Sequence, residues 1–137
     1  MTTHSETEAT KKVRILLNAL SDAGCALHSA VVALRVRIGY ENLDLMAEHS
    51  VRVIESSTTL FQAYIVAANV LNSDEKLQDL KNIVFETITG LNAAAISLIA
   101  KRPTIESLEA ASHKADITSA TAHQTKVRFS DTIYKYS

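Results

Sequence analysis

Small and apolar residues recur at alternating intervals of three and four along almost the whole chain. One run extends from Val13 to Leu34, a second from Leu43 to Leu71, a third from Leu77 to Leu98, and a weaker fourth from Ile105 to Ala122. This heptad spacing places one stripe of side chains on one side of each helix, where another helix can cover it. The pattern predicts an all-α protein, an antiparallel up-down bundle of four helical segments with coiled-coil-like packing.

Three short segments separate the predicted helices. Pro103–Thr104 is the strongest break, because proline disfavours helix in the residue before it and Thr104 can cap the next helix. Residues 72–75 place Asn72 as a cap before acidic side chains in a new first turn. Residues 39–42 form the weakest break, since a glycine inside a helix costs only about 1 kcal/mol. Two separate helices are preferred there, although continuity of the first two stays open.

The chain is predicted to form a single domain over residues 1–137. The first three helices have similar predicted lengths: from about Glu8 to Ile38, from about Glu41 to Leu71, and from the Asn72 cap to Lys101 and Arg102. Those two cations lie at the negative end of the third helix dipole. Short connections between such helices make neighbours antiparallel.

The two ends of the chain are expected to behave differently from the bundle. Residues 1–8 are polar and are predicted to form a flexible tail. The fourth segment carries Ser112 and Ser119 on its seam, so it is expected to bury little apolar area and to be helical only to about Thr125. Residues 126–137 alternate apolar and polar side chains and are predicted to dock on a neighbouring subunit or partner.

Composition supports helix packing and excludes several classes of protein. The 137-residue chain is 47 % hydrophobic but only 5 % aromatic, and apolar mass of this aliphatic kind suits closely packed helices. Three glycines and one proline are too few for a β-sandwich or barrel, which needs a turn every 8–12 residues or so. A net charge of −1 provides no field that attracts nucleic acid.

A cytoplasmic location is the expectation from the cysteine content and the first residues. Cys25 has no partner for an internal disulfide, and the polar, acidic start of the chain lacks the basic-then-apolar order of a signal peptide. No run reaches the roughly 18 apolar residues of a membrane span. The uncharged run Ser56–Ser73 contains many polar residues and is predicted to be a buried bundle helix.

Motifs for catalysis or metal binding are missing from the sequence. No two histidines stand four apart, and no Glu-x-x-His motif occurs, so we expect no metal site. Cys25 lies among small residues without a nearby cation, which favours packing over reactivity. No phosphate-binding loop, nucleophile elbow or paired-carboxylate motif is present. We therefore expect neither an enzyme nor a cofactor.

The outer faces of the helices carry the functional signal. On the second helix the outermost positions hold Glu41, Glu48 and Glu55, which predicts a solvated face. The first and third helices are apolar nearly all round in their C-terminal halves, so something beyond one bundle must cover them. An alternative is that these two helices are buried diagonally. The predicted interface consists of Ile15, Cys25, Val32, Val36, Phe85, Ile96, Ile99, Phe129, Ile133, Tyr134 and Tyr136.

These features predict a non-enzymatic structural or scaffolding protein that self-associates through its first and third helices. Two alternatives use the same residues: an amphipathic coat on a lipid surface, and an adaptor or chaperone that holds a partner's helix. In composition the small, alanine-rich, low-aromatic helices resemble the phasins, which coat polyester granules in bacteria. That resemblance implies surface coating and assigns no site residues.

Overall fold

The computed structural model describes residues 7–39 and 43–133, with side chains described through residue 130. Helix α1 spans Glu8–Gly39 and α2 spans Leu43–Ser73; a short 3₁₀ turn, Glu75–Leu77, leads into α3, Gln78–Ile99, and α4 spans Ile105–Ile133. The described residues contain no β-strand. The prediction of an all-α bundle of four helices is confirmed.

Each helix packs beside its neighbours in chain order, and α4 closes the bundle against α1. Helices α2 and α3 are antiparallel, because Ser50 bonds to Ala95, whereas Ser57, farther along α2, bonds to the earlier residue Asn92 of α3. Across the centre α1 touches α3, whereas the described parts of α2 and α4 make no contact. The bundle is therefore flattened along the α1–α3 diagonal, but the outer faces of both helices stay exposed, as Val32 and Ile96 show.

The predicted heptad seams form the core, except for their residues Leu43 and Ile105, which are exposed. Leucines at the seam positions of α1, α2 and α3 are completely buried, among them Leu20, Leu60 and Leu91. Helix α1 is buried on both flanks of its seam as well as along it. Leu17 and Val31 are buried on one flank, and Ala19 and Ala33 on the other. Burial on both flanks follows from its central position between α2, α3 and α4.

Helix α4 packs more extensively against α1 than any other pair of helices packs, although the buried residues of its seam are mostly small, as Ser112, Ala115 and Ser119 show. Its small seam residues allow a close backbone approach instead. Ser119 Oγ donates to the Gly24 carbonyl at 2.8 Å. A Cβ on Gly24 would lie 3.3 Å from the Ser119 carbonyl oxygen, and one on Gly90 would lie 3.1 Å from Thr118 Cγ2. Small side chains here replace large-residue burial with tight helix contact.

Capping residues set the helix ends, and one of them differs from the prediction. Thr104 and Ser107 exchange hydrogen bonds between backbone N–H and side-chain oxygen at 3.0 Å, which confirms the break at Pro103–Thr104. The predicted cap Asn72 lies within α2. Asp74 caps the next turn instead, because its Oδ1 accepts from the Lys76 N–H at 2.9 Å. At the start of α1, Thr7 Oγ1 accepts from the Thr10 N–H.

The glycines give a test of the close helix approach. We expect Gly39→Ala to raise the free energy of unfolding by about 0.4–1 kcal/mol, because no atom of the described residues lies within 4 Å of the new Cβ. Gly90→Ala gains the same helix propensity but meets Thr118 at 3.1 Å, so it should be neutral or destabilising. Urea unfolding of both variants, and of Gly90→Ala combined with Thr118→Ala, measures the clash as a coupling free energy. Equal stabilisation by the two single variants would contradict the tight α3–α4 approach.

Candidate interaction surface

The outward residues predicted on α1 and α3 do not form one surface. Val32 of α1 is 52 % exposed and Ile96 of α3 is 67 % exposed, and both stand opposite the buried seam of their helix. Because α1 and α3 touch across the centre of the bundle, these outer faces point in opposite directions. The remaining predicted residues of the two helices are also exposed but are divided between the two sides: Ile15, Cys25, Val36, Phe85 and Ile99.

Helix α2 carries an apolar stripe that the sequence reading missed. Glu48 and Glu55 are exposed as predicted, while Glu41 lies outside the described residues. Beside these glutamates, four large apolar side chains are 46–56 % exposed, at positions Val51, Ile54, Phe61 and Ile65. With Thr58 between them, their spacing is three, four, three and four. The stripe is thus a second heptad seam, displaced by one residue from the seam that faces the core.

The second seam was detectable from the sequence. Residues 56–73 contain no charge, and apolar residues occupy two adjacent stripes along them. The sequence reading assigned the whole run to the interior. A single helix of a four-helix bundle buries one stripe, so two stripes on one helix indicate one inward and one outward surface.

The apolar surface around the second seam of α2 extends to α3 through an aromatic contact. The Tyr64 ring lies 4.7 Å, centroid to centroid, from the Phe85 ring in an edge-on arrangement, and 6.4 Å from the Phe61 ring. Ser57 Oγ donates to Asn92 Oδ1 at 3.1 Å, which joins the two helices farther along. We name the α2–α3 face as Val51, Ile54, Thr58, Phe61, Ile65, Phe85 and Ile99. None of these seven residues is charged, and each is exposed.

The opposite side of α2 forms a polar groove with α1. Its volume is about 430 Å³, and it opens widely to solvent. The charged and polar lining residues are Asp22, Cys25, Ser29, His49, Arg52, Glu55, Ser56 and Thr59. Cys25 is exposed at this groove as a free thiol rather than packed among small residues in the core. Mixed charge and openness distinguish this groove from the apolar α2–α3 face.

The predicted docking tail is partly wrong. Helix α4 continues to Ile133, so residues 126–133 are helical rather than extended. Phe129 is only 3 % exposed and belongs to the core of its own chain, and Arg128 forms an exposed ion pair with Asp79 at 3.0 Å. Phe129 therefore offers no free surface to a partner. The Ile133 side chain, Tyr134 and Tyr136 lie outside the described residues.

Among the residues that the structure describes, no group of three or more His, Cys, Asp or Glu side chains could hold a metal ion. Two described segments, Glu8–Gly39 and Glu75–Ile99, are long and apolar enough to cross a membrane by length and composition alone. Core helices of soluble proteins and signal sequences meet the same criterion, and the buried share of the window is 50 % in the first segment and 39 % in the second.

Comparisons of the chain with protein-family models, with curated proteins and with solved structures find no match. The fold defines a helical bundle of four helices, and the described residues of α2 and α3 carry an uncharged apolar face.

Proposed function

We propose that this protein is a non-enzymatic structural or scaffolding protein that self-associates through the α2–α3 face. The observation that carries the proposal is the second heptad seam of α2, in which Val51, Ile54, Phe61 and Ile65 are about half exposed. A heptad seam is the pattern by which helices recognise helices. A helix surface that only faces water does not require this regular spacing, because apolar residues on such surfaces are usually scattered singly.

The chemistry of the face supports a packing role. Burying apolar area contributes roughly 25 cal/mol per Å², and the absence of charge on the seven residues of the face means that no ion must be desolvated. Ser57 and Asn92, the polar groups at the centre of the α2–α3 junction, already bond to each other. The Ser57 hydroxyl and the Asn92 amide oxygen therefore keep a partner when apolar side chains cover the face.

This proposal moves the interface from the position expected from the sequence. Phe85, Ile96 and Ile99 of α3 stay at or beside it, whereas Val32 of α1 lies on the other side of the bundle. The polar α1–α2 groove separates the two sides, since Asp22, Arg52 and Glu55 line it.

We expect the wild-type protein to be a homo-oligomer in solution and Ile54→Glu to convert it to a monomer. Ile54 is 48 % exposed, so the single bundle tolerates the charge, whereas a covered face would bury it unpaired. Val32→Glu is the matched control, because Val32 is equally exposed but lies away from the face. Light scattering coupled to size exclusion gives the mass, and circular dichroism verifies that both variants remain folded.

A monomeric wild type would refute self-association. If that monomer then bound vesicles of phosphatidylcholine and phosphatidylglycerol, and Ile54→Glu abolished the binding, the face would belong to a lipid-surface coat instead. A monomer with no response to vesicles would leave the α2–α3 face to a helix of another protein.

A further inference from the structure

We propose that a second copy covers the α2–α3 face with its own α2, antiparallel to the first and related to it by a two-fold axis that passes by Thr58. The inference rests on the self-association proposed above and adds the orientation of the partner. Closed two-fold dimers present the same patch from both subunits, so the patch must be complementary to itself.

The spacing of the second seam is nearly symmetric about Thr58. Val51 and Ile65 each stand seven residues from it, while Ile54 stands four before and Phe61 three after. In an antiparallel pair centred on residue 58, position n lies opposite position 116 − n, because the two numbers must sum to twice 58. Val51 then meets Ile65, whereas Ile54 and Phe61, whose numbers sum to 115, meet with an offset of one residue, about 1.5 Å along the helix. Every large apolar residue of the seam has an apolar counterpart.

The charges beside the seam favour the antiparallel orientation. Glu48 and Glu55 flank the N-terminal half of α2, whereas residues 56–73 carry no charge. Antiparallel pairing places each glutamate beside the uncharged half of the other copy. A parallel two-fold pair would place Glu48 opposite Glu48 and Glu55 opposite Glu55, and such like-charge pairs oppose association.

Thr58, the residue at the proposed axis, needs no polar partner from the second copy. Thr58 Oγ1 donates to the Ile54 carbonyl of its own helix at 3.1 Å. Its hydroxyl donor is therefore satisfied, and the second copy need not supply an acceptor. A small β-branched residue at this point also lets the two helices approach more closely than a large side chain would.

The dimensions of the face match a dimer interface. Between Ala47 and Ala68, the outermost small residues of the seam, α2 is roughly 32 Å long at 1.5 Å per residue. Two helices side by side are about 20 Å wide, given an interaxial distance of 8–10 Å. The resulting area of about 600 Å² per copy is close to the 800 Å² or so per partner of a standard interface.

Cysteine cross-linking tests the orientation in the full-length chain. In a Cys25→Ser background, which removes the exposed native thiol, we expect Thr58→Cys to form a disulfide-linked dimer at least about tenfold faster than Thr59→Cys, since a disulfide needs Cα atoms within about 7 Å. Thr59 is the matched control, because it is an exposed threonine that lines the α1–α2 groove. Denaturing electrophoresis without reductant, after mild oxidation, measures the rate.

Two further variants separate antiparallel from parallel pairing. We expect Ile65→Cys alone to give no disulfide-linked dimer, because the two copies of this residue would stand about 21 Å apart along an antiparallel pair. Val51→Cys together with Ile65→Cys in one chain should cross-link readily. Self-linking at Ile65, or an oligomeric mass without linking at Thr58, would overturn this orientation but leave self-association intact. A monomeric mass would overturn both.

Discussion

Replacing Arg37 by methionine should lower the free energy of unfolding by about 3 kcal/mol, because the change removes three hydrogen bonds to carbonyl groups at the end of α3, one of them fully buried. Arg37 is only 5 % exposed. Its Nη1 donates to the carbonyls of Ser97 at 2.8 Å and Leu98 at 2.6 Å, and its Nη2 donates to the Ala100 carbonyl. The guanidinium of α1 thereby caps the C-terminus of α3, where the helix dipole is negative.

Two control variants isolate the capping effect. Arg37→Lys keeps the charge but loses the planar fork of donors, so we expect it to recover only part of the lost stability. Arg35→Met removes an exposed arginine two residues earlier on the same helix and should change stability by no more than about 0.5 kcal/mol. Urea unfolding gives the free energies, and hydrogen exchange locates the loss. If protection of the last turn of α3 were unchanged in Arg37→Met, the capping role would be wrong.

Arg37 shows why the helix ends were only partly predictable. The heptad pattern places position 37 three residues after Leu34, on the buried seam of α1. Residue type indicated the opposite, since an isolated buried arginine is costly. The cations predicted at the end of the α3 dipole from their position in the sequence, Lys101 and Arg102, are exposed. Only the arrival of α3 beside the end of α1 supplies the carbonyls, and that is tertiary information.

The bundle itself was predictable because one physical signal determines it. Apolar side chains at intervals of three and four must be covered by other helices, and the few turn residues leave little choice of boundaries. The strength of each contact was not predictable in the same way. Ser119 and Gly24 are small and bury little apolar area, yet they allow α4 to approach α1 closely and to form a hydrogen bond across the contact.

An excess of exposed apolar residues was predictable from the sequence, but the position of the proposed α2–α3 face was not. Excess apolar residues indicated that a surface exists, and the sequence alone placed it on α1 and α3. The diagonal contact of these helices buries both flanks of α1, as Leu17 and Ala33 show. Which of two adjacent stripes on α2 faces inward depends on where α1 and α3 lie. Periodicity along one helix does not contain that information.

Phe129→Ala should lower the free energy of unfolding by about 3–4 kcal/mol, since it removes a fully buried aromatic side chain and leaves a cavity. Phe129 is 3 % exposed in the core, and its ring also lies 5.0 Å from the Arg128 guanidinium carbon. Val127→Ala is the control, because Val127 is 73 % exposed two residues away and should cost no more than about 0.5 kcal/mol. Urea unfolding of the two variants gives the comparison.

Truncation after Thr125 should destabilise the bundle for the same reason, because it removes Phe129 from the core and the ion pair of Arg128 with Asp79. A docking tail, as predicted for residues 126–137 from the sequence, would instead leave the truncated chain folded and weaken its assembly. The two outcomes are separable by measuring mass and unfolding on the same samples. Were Phe129→Ala as stable as the wild type but monomeric where the wild type is oligomeric, the ring would act between subunits, and its place in the core of its own chain would be wrong.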